Sequence, residues 1–542
     1  MKTYLNAAKP QTQTEKSNER EVKNNAGGYV YSLDIWGILD RFFLLGTEGG
    51  TYYQGESDLT KQNFNVLKQC VTENPQRVIN RILEFSSEGR AFKKDVLIFS
   101  IAYLTKNVKD PRIAAQAYSA AEKVCEIPTH LFKYLQAIGV FGGYSSGVKN
   151  MLKKWYLNRQ ASRLAYQVAK YREREGWTHN DALRLAHIPF SAERVLHNEI
   201  FSWITWKEGK TDKNGVAISR PAFLTADTYP EELKPIVGYE KAKACTNIKE
   251  LIPLIKEFRL PMEFIPKQFL GEASVWEAML PNMPIANLIR NLGNLSKHKL
   301  LTPLGANQKL VVEKLTNPDL VAKSKLHPIA VAIAIKVYAQ GHSIKGDGTW
   351  EPNQKVIEAL SKTFELAFKN VEPTGKNFVI GLDISGSMSS LASMNIPMTC
   401  RELSSTFAWL INKTEPNCLI GAFNNGFKPL VPAQYNDINT LMNVVWEGGS
   451  TDCAQPIIYA TEKSVDTDAF VIITDNETWA GSVKVDDALA QYNKKMKKNA
   501  KLIVMGMTTT AFTIGDPNNP NVLNIAGCDA GFPQLISEFV KL

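Results

Sequence analysis

Residues 376–388, Lys-Asn-Phe-Val-Ile-Gly-Leu-Asp-Ile-Ser-Gly-Ser-Met, hold the side chains whose types and spacing point most directly to chemistry. An apolar run from Phe378 to Leu382 ends in Asp383, and hydroxyls follow at two-residue spacing, Ser385 and Ser387. The run reads as a buried strand and Gly386 as the turn after it. A strand that stops at Asp-x-Ser-x-Ser aims one carboxylate and two hydroxyls into one crevice. Ligands that are all oxygen suit a hard cation such as Mg²⁺. Two further segments carry matching groups. Gly448-Gly449-Ser450-Thr451-Asp452 is a glycine loop with another hydroxyl, and Ala469-Phe-Val-Ile-Ile-Thr-Asp475 is a second buried strand ending in an acid.

The elements that must position these groups follow from the pattern after Pro373-Thr374-Gly375. Apolar strands over 377–382, 418–423, 469–474 and 501–507 alternate with helical segments over 396–412, 453–464, 483–499 and 533–541. Such alternation predicts a parallel, doubly wound α/β domain over 374–542. Ligands of these sheets sit beyond the carboxyl ends of the strands, where Asp383 and Asp475 fall. From about residue 57 to 370 the pattern is instead helical almost throughout. Helix starts are marked by a capping residue and then proline, as in Asn74-Pro75, Asp110-Pro111 and Asn317-Pro318. The cap side chain accepts an orphan N–H, and proline fits the first turn, where its missing N–H costs nothing. Many short helices in succession predict an array of stacked helix pairs. Residues 1–25 are polar without apolar periodicity and read as a loose arm.

At 542 residues the chain requires two or more domains. No apolar run reaches the length of a membrane span, and the start lacks the core of a signal peptide. Seven scattered cysteines without a C-x-x-C pair argue against disulfides and zinc, and for a reducing cytoplasm. Charge is unevenly placed. Residues 374–542 hold 12 Lys and Arg against 16 Asp and Glu, a balance of −4. The rest of the totals of 63 and 54, 51 against 38, lies in residues 1–373, a balance of +13. A polyanion partner for the first two-thirds of the chain follows as an expectation.

The three strand-end segments resemble the metal-ion-dependent adhesion site of von Willebrand factor A domains. That site takes two serines, a threonine and two aspartates from three loops, and the resemblance assigns them to Asp383, Ser385, Ser387, Thr451 and Asp475. Further upstream, Asn24-Asn-Ala-Gly-Gly-Tyr-Val-Tyr-Ser-Leu-Asp34 and Leu39-Asp-Arg-Phe-Phe-Leu-Leu-Gly-Thr-Glu-Gly-Gly-Thr-Tyr-Tyr53 look like the opening of the Ro ribonucleoprotein autoantigen family. Met283-Pro-Ile-Ala-Asn-Leu-Ile-Arg-Asn-Leu-Gly293 is similar to the same family in mid-chain. The resemblance implies a ring of HEAT-like helices, the TROVE module, over 26–373, followed by the A-type domain. It also implies binding of small non-coding Y RNAs on the outside of the ring and of single-stranded 3′ ends of misfolded RNAs through its hole. Bacterial relatives work in RNA decay with an exoribonuclease, polynucleotide phosphorylase, which the resemblance suggests as a partner.

A helix over about 159–175 would line up Arg163, Gln167, Lys170 and Arg174 as one basic stripe, with Leu164, Val168 and Tyr171 packing inward. A second helix would follow Gly176-Trp177, capped by Thr178 with Asp181 at the reciprocal position, and would carry Arg184 and His187 on one face. The family resemblance implies Y RNA contacts at Lys170, Arg172, Arg174 and His187. Arg41, Tyr52 and Tyr53 could clamp or stack on RNA, or equally pack in the core and close the ring. Arg290 could face the ring's hole, the Lys494–Lys498 run reads as the wet face of a helix, and Glu477 as a neighbour of the metal ligands. A metal-dependent nuclease is the alternative, but residues 374–542 contain no histidine and the crevice offers two acids with three hydroxyls. No phosphate loop is present. The expected role is therefore binding without catalysis. A third reading is an adhesion module on a helical scaffold, which leaves the +13 balance unused.

Overall fold

The computed structural model describes residues 12–207, 211, 219–344, 346–368, 373–394, 396–444, 448–527 and 529–542. Helices run from Glu56–Glu73 to Gln354–Ala367 through the first two-thirds of the chain. The predicted starts hold: Asn74, Asp110 and Asn317 each accept a backbone N–H from the first turn, with proline beside them. Several helices pack on the helix two places further along. Pro75–Ser87 meets Pro111–Val124, which meets Ser146–Leu157, and Asp95–Asn107 meets Pro128–Val140. Leu104, Leu135, Trp155 and Tyr156 are fully buried between these layers. Stacking of this kind makes each repeat's apolar face the core of the next.

The array closes on itself. His327, which caps helix Pro328–Ala339, reaches back to the loop after the first helices, with its Nε2 2.9 Å from the carbonyl oxygen of Arg90. Its ring also meets Phe92 edge-on. Because Nδ1 accepts the Ile329 N–H, Nε2 carries the proton and donates to Arg90. Burial depresses this imidazole to about 4, so it stays neutral. Arg90 in turn pairs with Glu84 and, through Nη2 at 2.5 Å, with Asp529 of the α/β domain.

That domain holds a six-stranded sheet in the order Val522–Ala526, Lys501–Gly506, Ala469–Thr474, Asn377–Asp383, Asn417–Phe423, Phe427–Pro429. The first five are parallel, and the last is an antiparallel edge. Helix Cys400–Thr414 packs on the central strands, and helices Gln455–Lys463 and Val485–Met496 pack together. The helix predicted from residue 396 begins at Cys400, because Thr399 and Glu402 form a reciprocal cap. Ile396–Thr399 is instead a strand paired with Leu391–Ser393.

The loose arm expected over 1–25 is wrong for residues 12–25, and residues 1–11 lie outside the described residues. Glu21–Lys23 pairs antiparallel with Tyr29–Ser32, whose Tyr31 and Ser32 pair with Thr513 and Phe512. Glu21 and Lys484 form a buried ion pair at 2.7 Å, and Gln13 donates to the Val483 carbonyl at 2.8 Å. The polar residues of this segment find their partners more than 450 positions away, which local periodicity cannot reveal. The described helices include none long and apolar enough to cross a membrane. Cys70, Cys125, Cys245, Cys418 and Cys453 form no disulfide, and Cys528 lies outside the described residues.

Candidate functional site

The strand Asn377–Asp383 is central in its sheet, and its last residue lies beside the end of Ala469–Thr474. Two strand ends in register therefore bring Asp383 and Asp475 together. Asp383 Oδ1 accepts the Ser385 N–H at 2.8 Å, which folds the Ser-Gly-Ser turn back over the strand end. Its Oδ2 accepts the Thr474 hydroxyl at 2.7 Å. The turn ends in a short 3-10 segment, Gly386–Ser389, and leaves the Ser385 and Ser387 oxygens 3.2 Å apart. Thr451 arrives from the glycine loop, its carbonyl held by the N–H groups of Trp479 and Ala480 at 3.1 and 3.0 Å. All five side chains are buried.

The donor set fits a hard cation. Adjacent ligands of an octahedral Mg²⁺ at 2.0–2.1 Å stand about 3 Å apart, close to the spacing of the two serine oxygens. The electrostatics agree. Burial, and then repulsion from Asp475, push the Asp383 carboxyl up to about 7, and burial raises Asp475 as well. Glu477 is raised to about 7, chiefly by burial. None of the three carboxyls has a salt-bridge partner among the described residues. The neighbouring Arg401 donates to the carbonyl oxygens of Ser385 and Ile384 instead. Buried acids without a cation are destabilised, and a divalent ion would relieve both at once. Asp383, Ser385, Ser387, Thr451 and Asp475 would hold it. Among the described residues no group of three or more His, Cys, Asp or Glu is placed to hold a metal, so hydroxyls would have to complete the shell.

Glu477 accepts from Asn25 Nδ2 at 2.6 Å and from the Ala26 N–H at 3.1 Å, so the N-terminal segment holds it. Arg41 is 4% exposed and donates from Nη1 to the Thr510 and Phe512 carbonyls at 3.1 and 2.6 Å. Its role is joining the helical array to the α/β domain, which excludes the RNA clamp considered for it. Tyr53 lies near the metal loops, where burial and then the Asp475 carboxylate push its phenol up to about 12. Residue spacing gave no sign of this.

The basic residues fall differently from the expected stripe. The helix ends at Lys170, not near 175. Glu173–Arg174 and Trp177–Thr178 form a small hairpin across Glu175 and Gly176, both with positive φ. That is the backbone of a two-residue primed turn. His179 fixes the exit: its Nε2 donates to the Tyr171 carbonyl at 3.0 Å and its Nδ1 accepts the Tyr156 hydroxyl at 2.7 Å. Burial holds it neutral, with a pKa of about 3. Gln167 is buried and donates to the Glu126 carbonyl, so it leaves the stripe, while Leu164 and Val168 pack inward as expected. Lys170 pairs with Glu263 at 3.4 Å, and its side chain is only 9% exposed. Arg172 lies over Trp203, with its guanidinium 4.5 Å from the ring centre. Arg163, Arg174, Arg184 and His187 are exposed, as is Arg290. The reciprocal cap of Thr178 and Asp181 is present, and His187 ends that helix in the left-handed conformation at φ 49°. In the 494–498 run Lys494, Lys495 and Lys497 are exposed, and Lys498 pairs with Asp468 at 3.0 Å.

A closed helical-repeat array that carries an α/β domain with an oxygen-lined crevice at its strand ends is a narrow class of protein. The TROVE domain profile matches residues 22–259 and 261–337, and the Ro60 vWA domain profile matches 377–540. The chain belongs to the Ro60 family of TROVE proteins. It is similar to the RNA-binding protein RO60 of Deinococcus radiodurans, 33% identical over 547 residues that cover 100% of this chain and 99% of that protein. It is also similar to the RNA-binding protein RO60 of Caenorhabditis elegans, 30% identical over 97% of this chain and 91% of the relative. The crystal structure of the Deinococcus radiodurans RO (RSR) protein superposes with a TM-score of 0.68 at 31% identity, covering 94% of this chain and 99% of that one.

Proposed function

We propose that this chain is an RNA-binding protein that forms a ribonucleoprotein with a small, structured, Y-like non-coding RNA on its helical array. In this reading it also takes single-stranded 3′ ends of misfolded RNA, in RNA quality control or decay in the cytoplasm. An exoribonuclease such as polynucleotide phosphorylase would then receive the bound RNA. The observation that carries the reading is the set of Arg163, Arg174, Arg184 and His187, exposed on consecutive elements and in no ion pair among the described residues. It lies in a region with 51 cationic against 38 anionic residues. The full-length relatives named as RNA-binding proteins support the same conclusion.

The α/β crevice acts as a docking site for Mg²⁺, not as a hydrolytic centre. With two acids and three hydroxyls a bound ion keeps its electrophilic character and draws an outside oxygen anion. Hydrolytic metal sites usually gather more carboxylates and a base around one or two ions. The RNA reading is tested by gel shift with the RNA that copurifies. Affinity should fall by roughly 10³-fold or more between 50 and 200 mM salt if about six phosphates are neutralised. A flat salt response would remove it.

A further inference from the structure

The turn over residues 24–28, at the tip of the N-terminal hairpin, sits on the loop that follows Asp475. Asn24, 5% exposed, bridges the two. Its Nδ2 donates to the Thr478 carbonyl at 2.7 Å, and its Oδ1 accepts the Gly28 N–H at 2.8 Å. The Asn24 N–H closes the turn on the Gly28 carbonyl, also at 2.8 Å. Gly28 lies so near the Thr478 carbonyl that a Cβ there has no room. Beside this anchor, Asn25 Nδ2 donates to one carboxylate oxygen of Glu477 at 2.6 Å, and the Ala26 N–H donates to the other at 3.1 Å. Glu477 is only 2% exposed, and neutral donors of the N-terminal turn hold both of its oxygens.

Glu477 also stands beside the crevice, for its own N–H donates to Asp475 Oδ1 at 3.1 Å. That puts a third buried carboxyl within one side-chain length of any ion that Asp475 would hold. The five side chains Asp383, Ser385, Ser387, Thr451 and Asp475 leave one position of an octahedral ion open. Glu477 in that position would close the shell and add a third negative charge, ending the ion's pull on an outside oxygen anion. Among the described residues no three acids are placed to hold a metal, in keeping with a Glu477 turned away. From this arrangement we propose that the N-terminal turn is a latch, with Asn25 as its specificity-determining residue. By holding Glu477 toward itself, the turn keeps the cation site at two acids and one open position. A residue 452 positions away in the chain thereby decides whether the ion can take an outside ligand.

The proposal rests on the reading of the crevice as a divalent-cation site, and the test separates the two. Mn²⁺ is titrated into full-length wild type, Asn25→Asp, Asn25→Asp with Glu477→Gln, and Asp383→Ala. Its bound water is read by proton relaxation before and after acetate is added. Asn25 is exposed, so its substitution leaves the fold intact. In wild type, acetate should take the open position and lower the relaxation signal. Asn25→Asp sets a second carboxylate against Glu477 and drives it from the latch. Mn²⁺ should then bind on the order of tenfold more tightly, because ligand charge sets affinity, and acetate should no longer change the signal. The paired variant restores a donor and an acceptor between the two positions at the wild-type net charge. It should regain both the wild-type affinity and the acetate response. Asp383→Ala should bind no Mn²⁺ at this site. A wild type that binds Mn²⁺ but ignores acetate overturns the latch and leaves the cation site standing. So does Asn25→Asp that behaves as wild type or binds Mn²⁺ more weakly, or a gain that survives in the paired variant. Wild type that binds no more Mn²⁺ than Asp383→Ala overturns the cation reading, and the latch with it.

Discussion

Asp383, Ser385, Ser387, Thr451 and Asp475 are each no more than 4% exposed, whereas Arg163, Arg174, Arg184 and His187 stand in solvent. The first group is fixed by strand ends and by hydrogen bonds to neighbouring backbone, and loses its solvation in the process. The second keeps its solvation and is fixed only by the elements beneath it. A buried oxygen crevice must receive a cation or keep its protons, so its chemistry is specific and confined to one point. An exposed cationic surface works by the sum of many weak attractions, and no single residue in it is decisive. The two regions should therefore respond to substitution in different ways, and the contrast can be broken at either end.

The largest effect is expected in the crevice. Asp383→Ala removes one of its two aspartates and the acceptor that holds both the Ser385 N–H and the Thr474 hydroxyl. Binding of Mg²⁺ there should be lost, while RNA affinity, carried by another domain, should stay within about twofold of wild type. Calorimetric titration and gel shift measure the two separately. If RNA affinity fell with metal affinity, the regions would be one site and the contrast would collapse. Labelled single-stranded RNA incubated with the wild type and Mg²⁺ should remain intact. Cleavage that disappears in Asp383→Ala would instead make the crevice a nuclease.

The crevice was legible in the sequence because a strand-end site is written locally. Asp383, Ser385 and Ser387 are neighbours in the chain, and the sheet register that brings Asp475 beside them follows from two apolar runs of similar length. What the sequence hid was whatever arrives from afar: Tyr53 near the metal loops, Asn25 at Glu477, Glu21 at Lys484. The basic face was read less well for a different reason. Helical periodicity says which residues share a face only while the helix lasts, and here it stops at Lys170. Glu175-Gly176 followed by Trp177-Thr178 was the available signal, a turn pair ahead of residues that favour strands. Past that point Arg172 lies in the link to a hairpin and Arg174 within it, so their relation to Arg163 is not one of helical spacing.

At the exposed end, Arg174, Arg184 and His187 replaced together by Ala, Ala and Ser should weaken structured-RNA binding on the order of 10- to 100-fold near physiological salt. The slope of log affinity against log salt should also become shallower by about two. Thermal stability should hold, since changes at exposed positions are usually within about 0.5 kcal/mol. Single-stranded 3′ ends should still bind if they use a separate surface. Unchanged binding of the copurified RNA by the triple variant would remove these residues from the interface. A large loss of stability would show that the surface is not as free as its exposure indicates.

The smallest effect on RNA is expected at Lys170, which the family resemblance assigns to RNA and the structure turns inward. Its ammonium lies 3.4 Å from Glu263 and about equally far from two ring centres, 5.5 Å for Tyr166 and 5.4 Å for Tyr171. Part of its charge is therefore answered within the protein, and its stem covers aromatic surface. Lys170→Ala should lower stability by about 1 kcal/mol, the combined scale of a partly buried cation–π contact and a weak ion pair. It should weaken RNA binding by no more than about threefold. Arg174→Ala should show the reverse, a larger loss of RNA affinity with stability unchanged. The crossed pattern distinguishes a residue that supports the surface from one that forms it. If Lys170→Ala weakened RNA as much as Arg174→Ala while melting at the wild-type temperature, Lys170 would have to leave Glu263 for phosphate on binding. The basic face would then be assembled by its ligand, and the crevice, already built before any ion arrives, would differ from it in that respect too.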